Sequence, residues 1–98
     1  MTITKTKNGT TLELALAGRL DTMTAPELEA ELNGELANCD SLILDFSKLD
    51  YISSAGLRVL LSAHKAMLGK GGMKVVHIND IVQEVFEVTG FSDILTIE

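Results

Sequence analysis

From Leu28 onward the apolar residues of this chain repeatedly change their spacing, and each change marks a different kind of backbone. Leu28, Leu32 and Leu36 fall four apart, on one face of a helix. "SLILDF" (41–46) is a nearly continuous apolar run, the pattern of a central strand covered on both faces. Leu57, Leu60, Leu61 and Leu68 restore helical spacing between Ser54 and Leu68, and Gly69 ends that run. "MKVVHI" reads as the next strand. "IVQEVFEV" follows as a third helix, with Asn79 or Asp80 as N-cap and Gly90 as its stop, and "DILTI" is a last short strand. Strands that alternate with helices need crossover connections, and these build a mostly parallel sheet.

The first residues add an antiparallel piece. Asn8-Gly9 lies between two alternating stretches and predicts a tight hairpin joining strands at about 2–6 and 11–17. Gly18 breaks the second strand, and Thr24, Pro26 and Glu27 mark the first turn of a helix. The expected fold is α/β in the order ββαβαβαβ, a mixed, mostly parallel sheet packed with helices. A length of 98 residues suits one core, so residues 1–98 are expected to form a single domain.

Charge and composition narrow the function. A net charge of −6 repels phosphate backbones and anionic lipid, which argues against nucleic-acid or membrane binding. The N-terminal residues show no basic region followed by an apolar run, and no apolar stretch approaches the roughly 20 residues of a membrane span, so a cytoplasmic protein is expected. Cys39 stands alone, and His64 and His77 have no partner at ligand spacing, so neither metal nor cofactor is expected. No Gly-x-Gly-x-x-Gly opens a helix, and "LGKGG" lacks P-loop spacing.

Catalysis finds little support. Ser62 to Lys65 matches Ser-x-x-Lys without the further motifs that chemistry requires, and Ser54 is not in Gly-x-Ser-x-Gly. Asp21, Asp45 and Asp50 are candidates to meet at the strand ends, where open α/β sheets place their sites. Three acids of this kind more often cap turns and solvated loops. A binding protein is expected, not an enzyme.

The polar segment "SSAG" (53–56) remains to be explained. Ser53 or Ser54 could serve only as an N-cap, worth about 0.5 to 2 kcal/mol against Ala. A serine at a helix N-terminus is also a place where a phosphate can be held, because unpaired N–H groups and the helix dipole favour an anion. Such a phosphate would add about −1.5 to −2 charges beside Asp21 and Asp50.

The surrounding residues resemble a family. "GRLDTMTAPEL", "LILDFSKLDYISSAGLRVLL" and "VTGFSDILTI" resemble the corresponding segments of STAS-domain anti-sigma factor antagonists, and the middle segment is the specific one. The resemblance implies a partner-switching cycle. The unphosphorylated protein binds an anti-sigma factor that is also a serine kinase, displacing its sigma factor; phosphorylation ends the binding, and a metal-dependent serine phosphatase restores it. Carried onto this chain, the acceptor is Ser54, two residues before Gly56, with Ser53 as the alternative. Ser53 stands where many members have Asp, Ala55 where they have Ser or Thr, and Arg58 where they have a small residue. The implied docking patch comprises Asp21, Thr22, Met23 and Thr24 with Ser53, Ser54, Ala55, Gly56, Leu57 and Arg58. The free protein is expected to be a monomer. Other roles open to a STAS module are regulation of a transporter, a stressosome-like assembly or secretion, or the sensing of a small ligand.

Overall fold

The computed structural model describes residues 1–98. The chain runs β1 (Thr2–Asn8), β2 (Thr11–Leu20), α1 (Ala25–Glu35), β3 (Ser41–Ile52), α2 (Ser54–Met67), β4 (Met73–Val76), α3 (Asp80–Thr89) and β5 (Thr96–Ile97), with single 3-10 turns after α1 and α3. The ββαβαβαβ order is as expected. The five strands lie side by side in sequence order, β1 antiparallel to β2 and every other pair parallel. Gly9 takes a positive φ of 63° in the hairpin turn, where a side chain would be strained.

Parallel strands laid down in sequence order, with crossovers of one hand, carry all their helices on one face. Burial follows this arrangement. Leu12, Leu14 and Leu16 of β2 are buried, while Thr11, Glu13, Ala15 and Ala17 between them are half-buried. The alternation repeats in β3, where Leu42, Leu44 and Phe46 are buried and Ser41, Ile43 and Asp45 are not. "SLILDF" is thus central but covered on one face only, a correction to the both-faces expectation. Its continuous apolar look comes from Ile43, which sits on the open face.

The strand is also twice as long as that run. Ala15 and Ala17 pair with Asp45 and Lys48, and Gly18 and Arg19 with Leu49 and Tyr51, so β3 carries an extra residue at each of two bulges. Phe46, Leu49 and Ile52 therefore turn inward at a spacing of three, and the two-residue signal of a strand disappears. β2 likewise exceeds its expectation, since Gly18, at φ 103°, does not break it and the strand pairs with β3 as far as Leu20, whereas the later strands fall short. β4 stops at Val76, before His77 at φ 60°, and "DILTI" supplies only Thr96 and Ile97 as strand. Leu68 is 67% exposed just beyond α2 and does not join the buried stripe of Leu57 and Leu60; Leu61 is half-buried.

Twenty-three buried apolar residues form one core between the sheet and the helices, with no polar side chain inside it. The exposed edge strand β1 is tied to α1 by Lys5, 3.0 Å from Glu31 and 2.8 Å from Glu35, and by Lys7, 2.8 Å from Glu35. Hydrogen bonds from these two lysines hold the Glu35 carboxyl below its ordinary range. Asn79 is the N-cap of α3: its Oδ1 accepts from the Val82 N–H at 2.8 Å, and its Nδ2 donates to the Leu49 carbonyl at 2.8 Å. No helix is long and apolar enough to cross a membrane.

Candidate functional site

β2 and β3 end together. Arg19 stands opposite Tyr51 and Leu20 opposite Ile52, and the Ser53 N–H donates to the Leu20 carbonyl at 2.9 Å, continuing the ladder one residue past the strands. The turn from β2 into α1 and the start of α2 are therefore neighbours, as the implied patch requires.

The turn is built by Asp21 and Thr24. Asp21 Oδ1 accepts from the N–H groups of Met23 (3.0 Å) and Thr24 (3.2 Å), while the Asp21 N–H donates to Thr24 Oγ1 at 2.8 Å. Thr24 Oγ1 in turn donates to the Arg19 carbonyl at 2.7 Å. Partial desolvation pushes the Asp21 carboxyl upward, but these hydrogen bonds and the nearby Arg19 outweigh it and hold the carboxyl below its ordinary range. Asp21 thus spends one oxygen inside the turn. At the tip, Met23 is 84% exposed, an apolar side chain offered to solvent.

Across from this turn, α2 begins with the two serines in different settings. Ser53 is the N-cap residue by backbone conformation (φ −101°, ψ 176°), but its hydroxyl makes no capping bond. That Oγ is buried and without a hydrogen-bond partner. Ser54, the first helical residue, is exposed. The N–H groups of the first turn therefore lack a side-chain acceptor; the helix's own backbone bonds begin with the Leu57 N–H, which donates to the Ser53 carbonyl at 2.9 Å. Gly56 lets the helix lie directly on the strand ends: a Cβ there would come within 2.7 Å of Leu20 Cγ and 2.9 Å of Ile52 Cγ1. Gly56 and Leu57 are buried and shape the patch from beneath. The accessible members are Asp21, Thr22, Met23, Thr24, Ser53, Ser54, Ala55 and Arg58, wholly or in part, although the Ser53 hydroxyl itself is buried.

Between the first turns of the two helices runs an open cleft, walled by Thr22, Pro26 and Glu29 on one side and Ala55, Arg58 and Ser62 on the other. The implied residues Thr22, Ala55 and Arg58 thus meet in one surface.

Asp21, Asp45 and Asp50 do not gather into one group able to hold a metal ion. Asp45 lies on the open face of the sheet and accepts from the Ser47 N–H at 2.9 Å within the first bulge. Asp50 is exposed on β3. No group of three or more acids, histidines or cysteines could hold a metal ion. Arg19 was not among the expected site residues. Its guanidinium lies 4.4 Å over the ring of Tyr51, and its Nε is 3.8 Å from Asp21 Oδ2. The register that joins these residues depends on the β3 bulges, which leave no periodic signal in the sequence.

Comparison with known proteins places these features in context. The profile of the STAS domain matches residues 2–98. BtrV of Bordetella bronchiseptica, which carries the name of an anti-sigma factor antagonist, is 36% identical over 99 aligned positions, covering 99% of this chain and 85% of the relative. The anti-sigma-B factor antagonist of Listeria monocytogenes is 29% identical over 89 positions, 89% of this chain and 78% of the relative. Among solved structures, an anti-sigma factor antagonist from Mycobacterium paratuberculosis superposes with a TM-score of 0.89 at 22% identity, covering 98% of this chain and 83% of its own.

Proposed function

This chain belongs to the STAS domain family, and from that membership we propose that it is an anti-sigma factor antagonist whose docking surface is the paired β2–α1 turn and α2 N-terminus. The partner is an anti-sigma factor that is also a serine kinase; binding it releases the sigma factor. Phosphorylation of Ser54 ends the binding, and a serine phosphatase restores it. The protein acts as a monomer in the cytoplasm and performs no catalysis itself.

One observation carries this reading. Within the family's signature segment, Ser54 is exposed at the start of α2, next to Ala55, which shares a cleft with Thr22, whereas the Ser53 hydroxyl is buried and would have to be uncovered before a kinase could reach it. A phosphate on Ser54 would meet unpaired N–H groups at a helix N-terminus, so the fold tolerates it, while its charge would sit in the docking surface beside Asp21.

The test is incubation with the cognate kinase and ATP, followed by mass spectrometry and a binding assay. One phosphate at Ser54, absent in Ser54→Ala, with loss of partner binding on modification, is expected. A phosphate mapped to Ser53 would move the acceptor by one residue. No phosphate, or unaltered binding after modification, would remove the switch.

A further inference from the structure

The two segments that form the docking surface, 19–24 and 50–58, contain two cations, Arg19 and Arg58. They are in opposite states. Arg19 is engaged by the Tyr51 ring at 4.4 Å and approached by Asp21 at 3.8 Å. Arg58 is exposed and has no ion-pair partner, even though Glu29 lines the same cleft. It stands four residues after Ser54 on the same helix, the spacing at which side chains on a helix surface become neighbours.

We propose that Arg58 is the intramolecular counter-cation of a phosphate on Ser54, closing over it across one turn of α2. The idea rests on Ser54 as the modified residue. Its consequence is specific to this surface: modification adds an anion and at the same time withdraws the one cation free to engage a partner's acid. The switch in surface charge is then larger than the phosphate alone supplies. The flexible side chain needs only to leave the cleft side of the helix for its N-terminal side, with no movement of the backbone. Other charges in the docking segments and along the cleft are Asp21 in the turn, Glu27 and Glu29 on α1 and Asp50 on β3, all acidic, and Arg19, already engaged; farther away, Glu31 and Glu35 of α1 pair with Lys5 and Lys7 of β1, and Asp45 and Lys48 of β3 lie at its first bulge. None of these competes with Arg58 for the phosphate.

Phosphoserine installed at position 54 by an expanded genetic code tests the pair without any kinase. A phosphoserine has its second ionisation near about pH 6. Followed by phosphorus NMR, that ionisation is expected at a lower pH in the otherwise unchanged protein than in the Arg58→Ala form, by about half a unit at low salt. The difference should shrink in about 0.5 M salt and survive in part in Arg58→Lys. The helix N-terminus acts equally in all forms and cancels from the comparison. Superimposable titration curves with and without Arg58 would overturn the proposal. A kinase that ignores Ser54 would defeat the switch proposed above and leave this titration unchanged, so the two failures are distinguishable.

Discussion

Gly56 rests on Leu20 so closely that a methyl group on it would lie 2.7 Å from Leu20 Cγ. This contact seats α2 against the end of β2 and so brings Ser54 beside the Asp21 turn. The glycine is required by packing, since its backbone is ordinary helix.

Gly56→Ala should therefore destabilise the domain. Alanine is the better helix former by about 1 kcal/mol, but overpacking a filled site costs about 1 to 3 kcal/mol. A net loss of about 1 kcal/mol is expected in urea unfolding, with partial recovery when Leu20→Ala is added relative to that change alone. A variant as stable as the parent would show that the contact relaxes freely.

Two N-cap residues should respond to different extents. Asn79 makes its capping bond and a second bond to the Leu49 carbonyl, so Asn79→Ala should cost about 1 to 2 kcal/mol. The Ser53 hydroxyl makes no bond, and Ser53→Ala should change stability by less than about 0.5 kcal/mol. A loss at Ser53 as large as that at Asn79 would mean that its hydroxyl caps α2 in solution.

Acid should weaken the molecule through two named carboxylates. Asp21 and Glu35 both have folded values below their ordinary range. The unfolded chain therefore takes up protons first as the pH falls, and stability present at neutral pH is lost progressively from the ordinary carboxylate range down through the lowered folded values. Lys5 has the reverse sign, because hydrogen bonds from its ammonium to Glu35 and Glu31 raise it; its contribution fades only as the pH climbs through that raised value. The combined variant Asp21→Asn and Glu35→Gln should show a flatter loss of stability between about pH 5 and pH 2 than the parent. Equal slopes would assign the acid sensitivity to other groups.

Modification at Ser54 should act locally. An anion at a helix N-terminus stabilises by about 0.3 to 1 kcal/mol, and the sheet and helices share a single core. Amide NMR shifts on phosphorylation should stay within the 19–24 and 50–58 segments, and Ser54→Asp should keep its fold while losing partner affinity. Shifts spread through β4 and α3 would make the switch conformational.

Much of the fold was legible because its signals are local. Asn8-Gly9 announces its turn through backbone chemistry, Gly90 takes φ 83° as the stop after α3, and the Leu28–Leu32 pair is buried where the helix period puts it. The second half of β3 was not legible, since its two bulges break the alternation by which a strand is recognised. Nor could the spacing of Leu61 and Leu68 tell which apolar residues at the edge of a helical stripe would find a neighbour.

The candidate site divides in the same way. The sequence by itself determined the order of elements, the mostly parallel sheet, and the segment "SSAG" as a helix start with a serine available for chemistry, because periodicity, turn residues and capping act over a few neighbouring positions. Only the tertiary structure decided that the Ser53 hydroxyl is buried and Ser54 exposed, that Gly56 serves packing against Leu20, and that Arg19 is engaged while Arg58 is free. These depend on how far β2 and β3 run before their helices begin. That is set by register across two bulges, a long-range hydrogen-bonding outcome that no short stretch of residues contains.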